Sequence, residues 1–357
     1  MLQKTQIKLW AAIALTMGLI SCNSPQETNT QSKSNQDKTT VTTSDNTASE
    51  NTNKPSVVAT TSVICDLTQQ VAVDTVDLKC LVGPGDDPHV YQPKPEDRKA
   101  IDSANLILYA GYDFDPSLIK LVQATSNPAP KVAVHEKAVP KPILGEPHDH
   151  SHGHNHKDEK GEKHSHSEKV PDPHVWHDAQ NGIKMVEVIR DSLKQVAPNH
   201  ADLYKTNAAK VTGEISQIHS WIKSQIATIP PNQRKLVTTH DALGYYVQAY
   251  GLSFSAALEG ISTEEQATAA RVGSLVKEIK KEGVPTIFAE KTINPRLMET
   301  VAKEANVKLS EQPLYTDGLG AKGSPGETYQ KMLIANTRNI VQGLGGSYSP
   351  FRLKDLQ

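Results

Sequence analysis

Two runs of alternating strand-like and helix-like segments, separated by one long helical stretch bounded by prolines, constrain this chain more than any other feature. The first run starts at Val57, with VVATTS as a strand, VICDLTQQVA as a helix and VDLKCLV as a second strand. PEDRKAID then opens a helix that leads into the apolar run NLILYAG, and helix PSLIKLVQA and strand KVAV follow. The second run starts after Pro230 with KLVTTH, ALGYYVQAYG and LSFSAALE. It continues through helix TAARVGSLVKEIKKEG, strand PTIFAE, helix PRLMETVAKEAN, strand VKLSEQPL and a last helix over Glu327–Gln342. Alternation of this kind builds parallel βαβ units. The spacing therefore predicts two α/β lobes, residues 57–199 and 230–357.

The stretch between them, 200–229, carries Leu203, Val211, Ile215, Ile218, Ile222 and Ile226 at close to helical spacing. Pro198 precedes it and Pro230-Pro231 stops it. A helix over 201–229 would reach about 43 Å at 1.5 Å per residue. One helix of that length makes a stiff connection, so limited hinge motion is expected.

The N-terminus reads as an address. Lys4 and Lys8 precede the apolar run Leu9–Ile20, too short to span a bilayer but long enough for a signal-peptide core. It ends in Leu19-Ile20-Ser21-Cys22, which resembles a bacterial lipobox. On that reading residues 1–21 are a signal peptide, Cys22 is lipidated and the mature chain is held at the extracytoplasmic face, in the periplasm; a plain signal peptide ending near a cysteine is the alternative. Residues 23–56 hold almost no apolar side chain and cannot offset the entropy of folding. Residues 22–56 thus form a membrane tether, whose coil would span roughly 30–35 Å. Export also permits a disulfide between the remaining cysteines, Cys65 and Cys80, which flank a strand–helix–strand unit. Two buried free thiols are the other reading, and spacing alone does not decide between them.

Acids and bases nearly balance at a net charge of −2, and no basic stripe is interleaved with aromatics, so nucleic acid is not indicated as a partner. The compositional surplus is histidine, 14 in all. Seven of these lie in one segment, 147–168: His148, His150, His152, His154, His156, His164 and His166. The segment is bracketed by prolines, contains Gly153 and Gly161, and has no apolar periodicity, which reads as a disordered insertion. Its alternating imidazoles can chelate locally, but each such site must also order a mobile chain and is weaker for it. We read the segment as an accessory that scavenges zinc, or senses its abundance, beside a site built elsewhere; a polar insertion with incidental histidines is the alternative.

Of the other seven, His135, His200 and His219 sit in polar or helical contexts without an acidic or histidine partner nearby in sequence and are read as structural. The remaining four fall in GDDPHVYQPKPED around His89, PDPHVWHD around His174 and His177, and TTHDALGYY around His240. Asp-Pro-His occurs at 87–89 and again at 172–174. Each of the three segments lies at or beside the carboxyl end of an expected strand or in a loop leaving one, the edge where open α/β sheets bind ligands. Asp317, in SEQPLYTDGLG after an expected strand of the second lobe, supplies a fourth group. Three neutral imidazoles and a carboxylate suit a tetrahedral Zn²⁺. His177 is read as an exposed residue at a helix start with Asp178 as N-cap, in preference to an extra ligand near the mouth. Glu290 either orients an imidazole or simply ends a strand.

Together the segments GPGDDPHVYQPKPED, DPHVW, TTHDALGYY, IFAE and PLYTDGLG resemble the metal-binding components of bacterial ABC importers of the zinc and manganese cluster. The resemblance covers the chain from about residue 55 onward. It implies two Rossmann-like lobes joined by one long rigid helix, the metal between the lobes, and His89, His174, His240 and Asp317 as its ligands. It further implies a monomer that delivers Zn²⁺ to an ABC permease with its cytoplasmic ATPase. Manganese-type members carry a carboxylate where this chain has His240, so the chain reads as zinc-type; some zinc-type members leave the fourth position to water or another acid. A manganese-delivering member, a metal-binding adhesin and a zinc buffer are the alternatives. No His-Glu-x-x-His and no Gly-x-Ser-x-Gly occurs, and a closed four-ligand shell leaves no catalytic position, so an enzyme is not expected.

Overall fold

The structure, a computed structural model, describes residues 54–145, 169–264 and 267–354. The signal segment, Cys22, most of the tether and the seven histidines from His148 to His166 lie outside the described residues.

In the first lobe β1 (Ser56–Ala59) lies between β2 (Asp77–Cys80) and β3 (Leu106–Tyr109), and β4 (Lys131–Ala133) lies beyond β3, all parallel. Helices α1 (Ser62–Ala72), α2 (Pro95–Ser103) and α3 (Pro116–Ala124) connect them, and α4 (Val134–Ala138) follows β4 directly. Val57, Val58 and Ala59 are fully buried, as expected of a strand covered on both faces. Thr61 caps α1 by accepting from Ile64 N. A disulfide joins Cys65 of α1 to Cys80 of β2, with a Cα–Cα distance of 5.7 Å. Two short strands, β5 (Leu144–Gly145) and β6 (Val170–Pro171), pair antiparallel and close the base of the histidine-rich insertion.

α5 (Ala179–Val196) and α6 (Ala201–Ile226) then run side by side. Of α5 the sequence reading gives only the start, at Asp178. α6 holds 26 residues, about 39 Å. It stops short of the expected Ile229: Thr228 N and Ile229 N donate to Gln225 O and Ile226 O, three residues back, at 3.0 and 3.1 Å, and Arg234 caps Ala227 O (2.9 Å) and Ile229 O (3.0 Å).

The second lobe repeats the first. β7 (Lys235–Thr238), α7 (Gly244–Tyr250), β8 (Ser253–Ala257), α8 (Ala269–Glu282), β9 (Thr286–Ile287), α9 (Arg296–Ala305) and β10 (Lys308–Leu309) alternate, and α10 (Tyr329–Gly343) closes the chain. β7 pairs with β8 and β9 with β10, both parallel, and Phe288 N donates to Val237 O (3.0 Å) to bring β9 against the free edge of β7. Each lobe therefore has the order second–first–third–fourth, with its topological switch between the first and third strands. One continuous core runs through Val57 and Leu106 of the first sheet, Ile215, Ile218 and Ile222 of α6, Tyr246 of α7, and Tyr329 and Met332 of α10.

Candidate metal centre

His89 follows β2 and His174 follows the β6 strand, while His240 lies two residues past β7. Asp317 lies three residues past Leu314, which bridges in parallel to Glu290 at the end of the third strand of that lobe. The four come together in a single buried cluster, none more than 2 % exposed. His89 Nε2 and His174 Nε2 lie 3.3 Å apart. Asp317 Oδ1 is 3.0 Å from His240 Nε2, 3.4 Å from His174 Nε2 and 3.7 Å from His89 Nε2. A tetrahedron with bonds of about 2.0–2.1 Å has edges of roughly 3.3 Å, close to these four separations, and all the ligand atoms lie within 4.8 Å of one another. His240 Nε2 and Asp317 Oδ1, both fully buried, have no hydrogen-bond partner among the described residues outside the cluster itself. Buried lone pairs left that way are costly unless a cation takes them.

Backbone and side chain conspire to aim each ring. In both Asp-Pro-His turns the aspartate accepts from the histidine N–H two residues on, Asp87 Oδ1 from His89 N at 3.0 Å and Asp172 Oδ1 from His174 N at 2.9 Å. Asp172 Oδ1 also accepts from His174 Nδ1 at 2.9 Å, which leaves Nε2 with a lone pair facing the cluster. Glu290 does the same for His240: its carboxylate accepts from His240 Nδ1, and from His240 N at 2.9 Å, while Thr316 Oγ1 donates to it at 3.0 Å. Of the two readings left open for Glu290, the structure carries the first: Glu290 orients the His240 imidazole, from an isolated bridge to Leu314 three residues past β9. Gly244 is required close by, because a Cβ there would stand 2.9 Å from Asp172 Oδ2. Phe114 packs edge-on against His89 and His174, at centroid distances of 4.9 and 5.4 Å, as an apolar wall.

Charge completes the description. Burial opposes a charged His240, yet the carboxylates of Asp317 and Glu290 outweigh it and hold the ring well above its ordinary range. Burial likewise opposes protonation of His174, but Asp172 and Asp317 raise it. Burial dominates at His89, which is lowered. Burial would raise Asp317, but His240 and its neighbours hold it well below the usual carboxylate range. Further carboxylates enclose the cluster: burial, helped by Asp172, pushes Asp241 up to about 6. The environment seeks positive charge. A cleft of about 610 Å³ opens beside the cluster, with Tyr109, Tyr112, Pro171 and Ile261 in its walls, and of the four residues His89 lines it.

The remaining histidines separate. His177 is fully buried, not exposed: its Nε2 donates to Thr316 O at 2.9 Å, and burial pushes it down to about 3. Asp178 does cap α5, accepting from Gln180 N. His135 is buried against Phe114 and Trp176, and His200 is exposed near Tyr204. His219 has an acidic neighbour that the sequence did not reveal, Asp178 Oδ1 at 3.9 Å, and its Nδ1 lies 3.2 Å from Tyr250 OH.

A two-lobe α/β body with three imidazoles and a carboxylate converging between its lobes defines a metal-binding solute receptor. The chain belongs to the family described as zinc-uptake complex component A, periplasmic (ZnuA), which it matches over residues 57–343. It is 32 % identical over 297 residues to the manganese ABC transporter substrate-binding lipoprotein PsaA of Streptococcus pneumoniae, covering 82 % of this chain and 89 % of that one. It is 30 % identical over 288 residues to the manganese-binding lipoprotein MntA of Halalkalibacterium halodurans, covering 81 % and 88 %. Among solved structures, the periplasmic zinc-binding protein TroA of Treponema pallidum superposes with a TM-score of 0.72 at 27 % identity, over 82 % of this chain and 99 % of that one. The protein is thus a metal-binding substrate-binding protein of an ABC transporter.

Proposed function

We propose that this protein captures Zn²⁺ outside the cytoplasm and delivers it to an ABC permease for high-affinity import. His89, His174 and His240 bind through Nε2, and Asp317 binds through Oδ1. The observation that carries this reading is the convergence of those four atoms within 4.8 Å of one another in a buried cluster whose third position is an imidazole. Imidazole suits zinc, whereas manganese prefers an oxygen-rich shell. The ion reaches the cluster through the cleft at His89 and exchanges its waters for fixed ligands. Lipid on Cys22 and the tether keep the receptor near its permease, and the seven histidines of 147–168 gather zinc at lower affinity.

Manganese is the rival cargo, since PsaA and MntA carry it in their names. Zinc titration against a competing chelator separates the readings, run on the purified protein, a form lacking 147–168 and His240→Ala. One nanomolar zinc, about −12 kcal/mol, should persist without the segment and resist manganese. His240→Ala should weaken it by more than roughly 100-fold, beyond the loss of an outer partner. If manganese displaces zinc, the cargo is wrong. If tight binding vanishes with 147–168 but survives His240→Ala, the protein is a histidine-segment zinc buffer.

A further inference from the structure

Asp317 turns its two carboxylate oxygens to different neighbours. Oδ1 faces the three imidazoles, 3.0–3.7 Å from their Nε2 atoms. Oδ2 faces away and accepts a hydrogen bond from Thr292 Oγ1 at 2.9 Å. A carboxylate chelates through both oxygens only when both face the ion, and here one is already engaged sideways. The backbone that carries Asp317 is fastened as well. His177 Nε2 donates to Thr316 O at 2.9 Å, and Leu319 N donates to Ser62 Oγ at 3.0 Å, so two bonds from the first lobe hold this second-lobe segment. Gly318 is needed for that approach, because a Cβ there would stand 2.8 Å from Ser62 Oγ.

We infer that Thr292 is a specificity-determining residue, which keeps Asp317 monodentate and limits the protein's ligand atoms to four, with His177 as a positioning residue that stops the Asp317 segment from shifting to offer its second oxygen. The inference rests on the four-residue reading of the site given above. Zn²⁺ is satisfied by four ligands in a tetrahedron. Mn²⁺ seeks a larger, oxygen-rich shell, and a bidentate aspartate is the nearest source of another oxygen. To supply it, Asp317 must give up the Thr292 bond and leave that hydroxyl without its partner. Discrimination against the larger shell thus comes from a side chain that touches no metal.

One equivalent of Co²⁺ reads the coordination directly, because its visible absorption is intense in a four-coordinate site and weak in a six-coordinate one. Thr292→Val removes the hydroxyl at nearly constant shape, Thr292→Ser keeps it, His177→Leu removes the bond to Thr316 O, and His177→Gln retains a donor. The protein itself, Thr292→Ser and His177→Gln should show the intense band and keep the zinc-over-manganese affinity ratio. Thr292→Val and His177→Leu should weaken the band and lower that ratio by roughly 10-fold or more, the scale on which outer partners act. An unchanged band and ratio in Thr292→Val overturns the inference. Asp317→Ala and His240→Ala distinguish that failure from a deeper one. If the intense band is absent from the protein itself, or survives both of those changes, the four-residue site is wrong and the role of Thr292 falls with it.

Discussion

Asp115, at the start of α3, is 1 % exposed, and burial pushes its carboxyl up to about 7, with the Thr60 hydroxyl and its own backbone offsetting only part of the effect. The folded protein therefore holds this proton more tightly than the unfolded chain. The charge costs nothing below the ordinary carboxylate range near 4, and its cost grows as pH rises until it is complete above about 7, where a gap of roughly 3 units amounts to about 4 kcal/mol. Asp115→Asn removes the charge at equal size. It should stabilise the protein more at pH 8 than at pH 5, by about 2 kcal/mol in urea denaturation, and a pH-independent effect contradicts the assignment. Glu290 offers the complementary case, a buried carboxylate that accepts from both the backbone and the ring of His240. Glu290→Gln keeps the shape but weakens the hold on His240 Nδ1, and zinc affinity should fall by roughly 10–100-fold with little change in melting temperature.

The disulfide between Cys65 and Cys80 ties α1 to the edge strand β2 across 15 residues of sequence. Closing a loop of that length stabilises by about 3 kcal/mol through the unfolded chain. Paired Cys65→Ser and Cys80→Ser changes should lower the denaturation midpoint accordingly while metal binding persists, because neither cysteine belongs to the cluster of His89, His174, His240 and Asp317. The sequence could only allow this bond, since its geometry depends on how β2 pairs with β1. Most elements were legible because buried parallel strands and amphipathic helices write their periods directly into the chain. The carboxyl-end rule then brought His89, His174, His240 and Asp317 into one neighbourhood. What was hidden depends on contacts remote in sequence. His177 looked like a surface residue beside its capping aspartate, and its burial follows from Thr316, 139 residues away. The last turn expected of α6 tightens to bonds three residues back, and its free carbonyls are capped by Arg234. α5 carries Met185, Val186, Ile189 and Leu193 on its buried face, but the charged residues between them mask the stripe.

Across the whole molecule, α6 does not act as a bare rod between two independent bodies. Tyr329 OH of α10 donates to Trp176 O in the first lobe at 2.6 Å, and Tyr329 N donates to Asp66 of α1 at 2.9 Å. The chain beyond α10 returns along α6, where Trp221 Nε1 donates to Ser349 O and Gln217 exchanges two bonds with Lys354. Lobes that share an apolar core and are strapped this way cannot swing apart without exposing it, whereas lobes with small polar interfaces move freely. Metal capture should therefore proceed by local movement at the cleft beside His89, where Thr263 Oγ1 of the second lobe donates to Asp87 Oδ2 of the first at 2.6 Å. Small-angle scattering of the metal-free and zinc-loaded protein should differ by less than about 1 Å in radius of gyration. Urea unfolding followed by tryptophan fluorescence and by circular dichroism should give one coincident transition. A larger contraction on zinc binding, or two separate transitions, would mean that the shared core does not couple the lobes and that this receptor closes by a hinge.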